Sequence, residues 1–154
     1  MSETDAATRR TGLGLPVVAL IGLALLAVPR AVLHDLGVVS EGSALNQVLV
    51  FVPLIVWVVV AVAARVPNPL LTLLLVGAIY GVFLTLTHQL LWDVAFGDDP
   101  PRLGGNLAGL DPATQSLLVR GFAAVSSLFT GALTGAVTGL VAWAIVVVRR
   151  RRDR

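Results

Sequence analysis

The 154-residue chain contains no cysteine, which excludes disulfides, thiolate metal sites and any thiol nucleophile. It has no lysine either, so all 11 basic residues are arginine, and charged residues of both signs make up only 13% of it. A soluble surface cannot be built from so few charges when 56% of the residues are hydrophobic. Mean hydropathy is +0.90. Each bilayer crossing takes about 20 apolar residues, and the chain has room for four with short connections. The composition predicts an all-α integral membrane protein, a four-transmembrane-helix bundle.

The first apolar run extends from Leu13 to about Leu33, after a polar tail over 1–11 that holds Glu3, Asp5, Arg9 and Arg10. A cleaved signal peptide is the competing reading of such a start, but the run is longer than the usual apolar segment of a signal and no clean small-residue cleavage site follows it. The second span covers about 44–64, with Ser43 as its cap, and stops at Arg65-Val66-Pro67-Asn68-Pro69. Asn68 can cap the third span, about 69–92, while Pro69 takes the first helical position, where a missing N–H costs nothing. A loop over 93–120 follows, marked by Gly97-Asp98-Asp99-Pro100-Pro101 and Gly104-Gly105-Asn106. Asp111-Pro112 repeats the cap-then-proline start. One helix from Pro112 to Val148 would be about 55 Å long against a hydrocarbon core of roughly 30 Å. The expectation is therefore a short interfacial helix over 112–119, a bend near Gly121, and a fourth span over about 121–148. The chain between 12 and 148 forms one membrane domain, followed by a basic tail over 149–154.

Arginine placement sets the orientation, because short cytoplasmic flanks retain positive charge. With both termini cytoplasmic, that side holds Arg9, Arg10, Arg65, Arg149, Arg150, Arg151, Arg152 and Arg154, whereas Asp35, Glu41, Asp93, Asp98, Asp99 and Asp111 fall outside. The plasma (inner) membrane of a bacterium is the expected location. Arg149–Arg152 would lie against anionic inner-leaflet lipids, each worth about 1 kcal/mol near the surface, and nucleic acid is not an expected partner.

Between helices in lipid, close packing of small side chains replaces the hydrophobic driving force. On the fourth span Ala124, Ser127, Gly131, Gly135, Thr138 and Ala142 form one narrow stripe, and Gly131, Gly135 and Gly139 make an overlapping GxxxG series. The third span has a matching stripe of Gly77, Gly81, Leu84, His88 and Trp92. Such a seam serves contacts within a chain and between copies alike. It points first to an assembly component of a membrane complex or homo-oligomer, joined through the fourth span.

A second expectation comes from polar residues on otherwise apolar helices, which are costly and mark functional sites by default. Arg30, His34, Asn46, His88, Trp92 and Arg120 all fall at the outer ends of the four spans. Together they suggest an outer pocket for a small molecule or lipid headgroup carrying an anionic group. The inner halves lack any central Asp, Glu or Lys, which argues against a proton-driven transporter acting as a monomer.

Chemistry beyond binding finds little support. His34, His88, Asp35 and Asp93 are the available metal ligands, and their spacing matches no metal motif. Ser126 and Ser127 have no base at a meaningful spacing, and Gly104-Gly105-Asn106 lacks the Lys-Ser/Thr of a phosphate loop. No cofactor is expected. An enzyme using His88 as acid or base with Asp93 as its orienting carboxylate is the weakest reading.

Overall fold

In the computed structural model, which describes residues 12–152, every regular element is a helix. The elements are α1 (Val17–Leu26), α2 (Val28–Asp35), α3 (Ala44–Ala63), α4 (Pro69–Leu90), α5 (Trp92–Phe96), a single 3-10 turn (Gly105–Leu107) and α6 (Pro112–Arg152). Four helical segments are long and apolar enough to cross a membrane: Val17–Asp35, Ala44–Ala63, Pro69–Leu90 and Pro112–Arg152. The tail over 1–11 and the last two residues lie outside the described residues.

The helix starts follow local chemistry. The Asn46 N–H donates to Ser43 Oγ at 3.2 Å, the Leu71 N–H to Asn68 Oδ1 at 3.1 Å, and the Thr114 N–H to Asp111 Oδ1 at 3.0 Å. Each cap fills one of the four donors that a helix start leaves open.

The first span begins at Val17 rather than Leu13, behind an extended Pro16, and continues to Asp35. It is broken once, at Ala27, because Pro29 has no N–H to continue the ladder. There the Ala27 N–H bonds to Ala24 O at 3.2 Å, and Leu23 O instead accepts from Trp57 Nε1 at 2.7 Å. Trp57 is wholly buried, with Tyr80 edge-on to its ring. A carbonyl released by a kink inside an apolar bundle is expensive to leave bare, and the indole of α3 satisfies it.

The expected interfacial helix and bend are absent. α6 runs as one helix of 41 residues, about 61 Å long, with no break at Gly121. The bilayer argument limited the hydrocarbon-embedded part of this helix, not its total length, and nothing forbids its ends from standing beyond that layer. The third span ends at Leu90, two residues early, and Trp92 opens the separate short helix α5. The loop expected over 93–120 consequently contains α5, the 3-10 turn and the first turns of α6, while Arg149–Arg152 continue α6 instead of forming a tail.

The glycine seam joins α4 to α6 of the same chain. A Cβ on Gly77 would stand 2.6 Å from Gly135 Cα, one on Gly81 would stand 3.0 Å from Leu128 Cα, and one on Gly139 would stand 2.9 Å from Leu70 Cα. Gly131 is closed in the same way by the backbone of Gly77 and Gly81. Ser127, Thr138 and Ala142 are buried along this line, with Ala124 half-buried at its end. The backbones meet with only glycine between them, so the stripe is occupied internally. A contact between copies would have to use another face.

Candidate functional site

α2 and α4 end side by side, and Asp35 lies between them, 8% exposed. Its Oδ2 is 2.6 Å from His88 Nδ1 on α4, and its Oδ1 is 3.4 Å from Nδ1 of the adjacent His34. His34 Nε2 in turn lies 3.4 Å from Glu41 Oε1, which is largely in solvent. When Asp35 is ionised its carboxylate can only accept, and His88 Nδ1–H is then the donor of this short contact. That fixes the ring and leaves Nε2 as its free nitrogen, without a partner among the described residues. A chain of titratable groups thus runs from His88 through Asp35 and His34 to an exposed acid.

Beside the pair is a cleft of about 280 Å³, lined by His34, Asp35, His88, Trp92, Phe96 and the α6 residues Ala123, Ser126 and Ser127. The Ser127 hydroxyl is committed to Ala123 O at 2.8 Å, whereas Ser126 is exposed. Trp92 and Phe96 rings lie 4.8 Å apart, centroid to centroid, and form an apolar wall. Among the described residues no cluster of three or more His, Asp or Glu side chains is arranged to hold a metal ion.

The six residues expected to share one pocket divide into three groups. His34, His88 and Trp92 line the cleft. Arg30 turns instead to α3, where its Nε donates to Asn46 Oδ1 at 3.0 Å, and Asn46 is buried on the same face as Pro53 and Trp57. Arg120 stacks over Trp92 at 4.8 Å from the ring centroid and reaches Asp93 Oδ1 with Nη2 at 3.2 Å. Gln89 Nε2 donates to Arg120 O at 3.1 Å and ties the end of α4 to α6. Asp93 is therefore a partner of Arg120 and not the orienting group of His88; Asp35 holds that position. The sequence placed Asp35 beyond the first span, among the acids of the outer side, but α2 continues far enough to bury it. Its one visible signal was its position directly after His34, within a helical turn of the apolar run.

Asp111, at the start of α6, is the other acid with a shaped environment. Hydrogen bonds from the Thr114 hydroxyl, at 2.6 Å, and from its backbone N–H hold the carboxyl below its ordinary pKa.

No family model matches this chain, and searches of curated proteins and of solved structures give no match either.

Proposed function

We propose that this chain is an integral protein of the plasma (inner) membrane, with both termini cytoplasmic, that binds a small cationic or hydrogen-bond-donating molecule on its outer side. Four apolar helices and the gathering of arginines at one end of the chain's spans support the placement. The observation that carries the binding reading is the buried Asp35 carboxylate, held by His88 at 2.6 Å on the wall of an open cleft. A volume of about 280 Å³ falls just under the roughly 300 Å³ where pockets for drug-sized ligands begin, which suits a small molecule.

The charge in the cleft favours a cation. Both arginines that recommended an anionic ligand are engaged elsewhere, Arg30 with Asn46 and Arg120 with Asp93. What remains is a carboxylate, two imidazoles, a serine hydroxyl without a partner among the described residues and an aromatic wall, a set that accepts hydrogen bonds and favours an amine. An assembly role loses the feature that recommended it, since the glycine seam is closed within the chain.

Thermal shift and native mass spectrometry with a panel of small amines, carboxylates and phosphates test this reading. Amines should stabilise the wild type and lose their effect in Asp35→Asn. Ser126→Leu, which fills the cleft from an exposed position, should abolish binding while leaving the unfolding temperature near that of the wild type. Stabilisation by carboxylates or phosphates alone, or amine binding indifferent to Ser126→Leu, would refute it.

A further inference from the structure

The opposite end of the bundle carries a separate cleft of about 460 Å³ between the end of α3 and the end of α6, lined by Val62, Arg65, Val66, Val146, Arg149 and Arg150. Its construction begins with the way α3 stops. The Arg65 N–H bonds to Val62 O and the Val66 N–H to Ala61 O, both at 3.2 Å. This is the Schellman pattern, which requires a left-handed residue at the position of Arg65 and is usually met by glycine. Arg65 has φ 51°, the only positive value at a non-glycine residue among the described residues.

A side chain in that conformation is strained, because Cβ crowds the following carbonyl. The backbone of this turn therefore favours glycine, and arginine is favoured here only by its charge, at the negative end of the α3 dipole. What the residue adds is a third guanidinium beside those of Arg149 and Arg150. All three residues are exposed, and none has a carboxylate partner among the described residues. Three like charges around one cleft repel, the roughly half negative charge at the end of each of α3 and α6 offsets only part of that, and an anion between them would offset the rest. Guanidinium groups present planar forks of N–H donors that match phosphate oxygens two at a time, and the valines at 62, 66 and 146 offer an apolar floor beside them.

We propose that Arg65, Arg149 and Arg150 form a discrete site for a phosphate group, supplied by an anionic lipid headgroup or by inorganic phosphate. It is independent of the cleft at the other end. It also differs from general attraction of the basic helix end to a charged leaflet, since it depends on arginines from two helices and not on their number alone.

Native mass spectrometry of the full chain in an uncharged detergent gives the test. The probes are short-chain phosphatidic acid, short-chain phosphatidylcholine as a zwitterionic reference, and inorganic phosphate. Arg65→Gly should weaken phosphate binding about tenfold, the scale of a lost charge-assisted hydrogen bond. It should leave the unfolding midpoint unchanged or higher, because glycine suits the turn; reduced binding therefore cannot be ascribed to misfolding. Arg152→Gln, which removes the same charge outside the cleft, should change binding less than twofold. An Arg65-dependent response to phosphatidic acid alone identifies the lipid as the source, and one to inorganic phosphate alone identifies the free ion; either supports the site. Equal losses in Arg65→Gly and Arg152→Gln, or no binding of either phosphate probe above phosphatidylcholine, would overturn it.

Discussion

Replacing Gly77 by alanine adds one carbon where α4 and α6 meet backbone to backbone. That carbon would lie 2.6 Å from Gly135 Cα and 2.7 Å from Gly135 N, where carbon atoms normally rest about 3.5–4.0 Å apart. Both neighbours are backbone, so no side chain can rotate away, and α4 and α6 must separate by about 1 Å. Overpacking of this kind costs about 1–3 kcal/mol, and the rigid backbone contact places Gly77→Ala at the upper end. Alanine's helix preference over glycine offsets about 1 kcal/mol, leaving a net loss of about 2 kcal/mol, or a factor of about 30 in the folding equilibrium. Gly121→Ala on α6 is the counterpart, since a Cβ there meets nothing within 4 Å; it should gain up to about 1 kcal/mol. Reversible unfolding in mixed micelles, repeated at two protein-to-detergent ratios, measures both. Equal stabilities for Gly77→Ala and the wild type would refute the close approach. A Gly77→Ala deficit that varies with protein concentration would move the seam between copies, and a destabilising Gly121→Ala would restore the bend.

Two further outcomes follow from local chemistry. Trp57→Phe keeps most of the buried ring but removes the donor to Leu23 O, and the unsatisfied carbonyl should lower stability by about 1–3 kcal/mol, read as a drop in unfolding midpoint; an unchanged midpoint would mean that another donor reaches the kink. Asp111 has a depressed pKa in the folded state, owing first to the Thr114 hydroxyl and then to its N–H, so its contribution is present above the unfolded pKa and is lost as pH falls through the folded one. Asp111→Asn, which caps without titrating, should remove that acid-side loss of order at the start of α6, followed by backbone NMR shifts at residues 112–116.

The parts of this architecture that depend on neighbours in sequence were legible there. Ser43, Asn68 and Asp111 announced helix starts because a cap is satisfied within three residues, and the glycine stripes announced a seam because a face repeats along one helix. The sequence does not disclose which neighbour a face meets. Arg30 and Arg120 share a level with His88, but a level does not give the angle between helices, and each turned to a different partner. In the sequence Asp35 reads as an outer acid and an available metal ligand but not as the partner of His88, because two residues separate an estimated helix end at Leu33 from the acid, and that short extension decides between solvent and burial. The continuity of α6 was hidden for a different reason: membrane thickness bounds what must be apolar, while helix length depends on local propensity and packing.

The 41-residue length of α6 has an electrostatic consequence. Aligned peptide dipoles place roughly half a positive charge at a helix N-terminus and half a negative charge at its C-terminus, however far apart the two lie. In α6 these poles are about 61 Å apart. Each is met by charge from its own sequence: Asp111 at the positive pole, and Arg149, Arg150, Arg151 and Arg152 in the last turn at the negative one. The helix therefore requires no other element to neutralise its macrodipole.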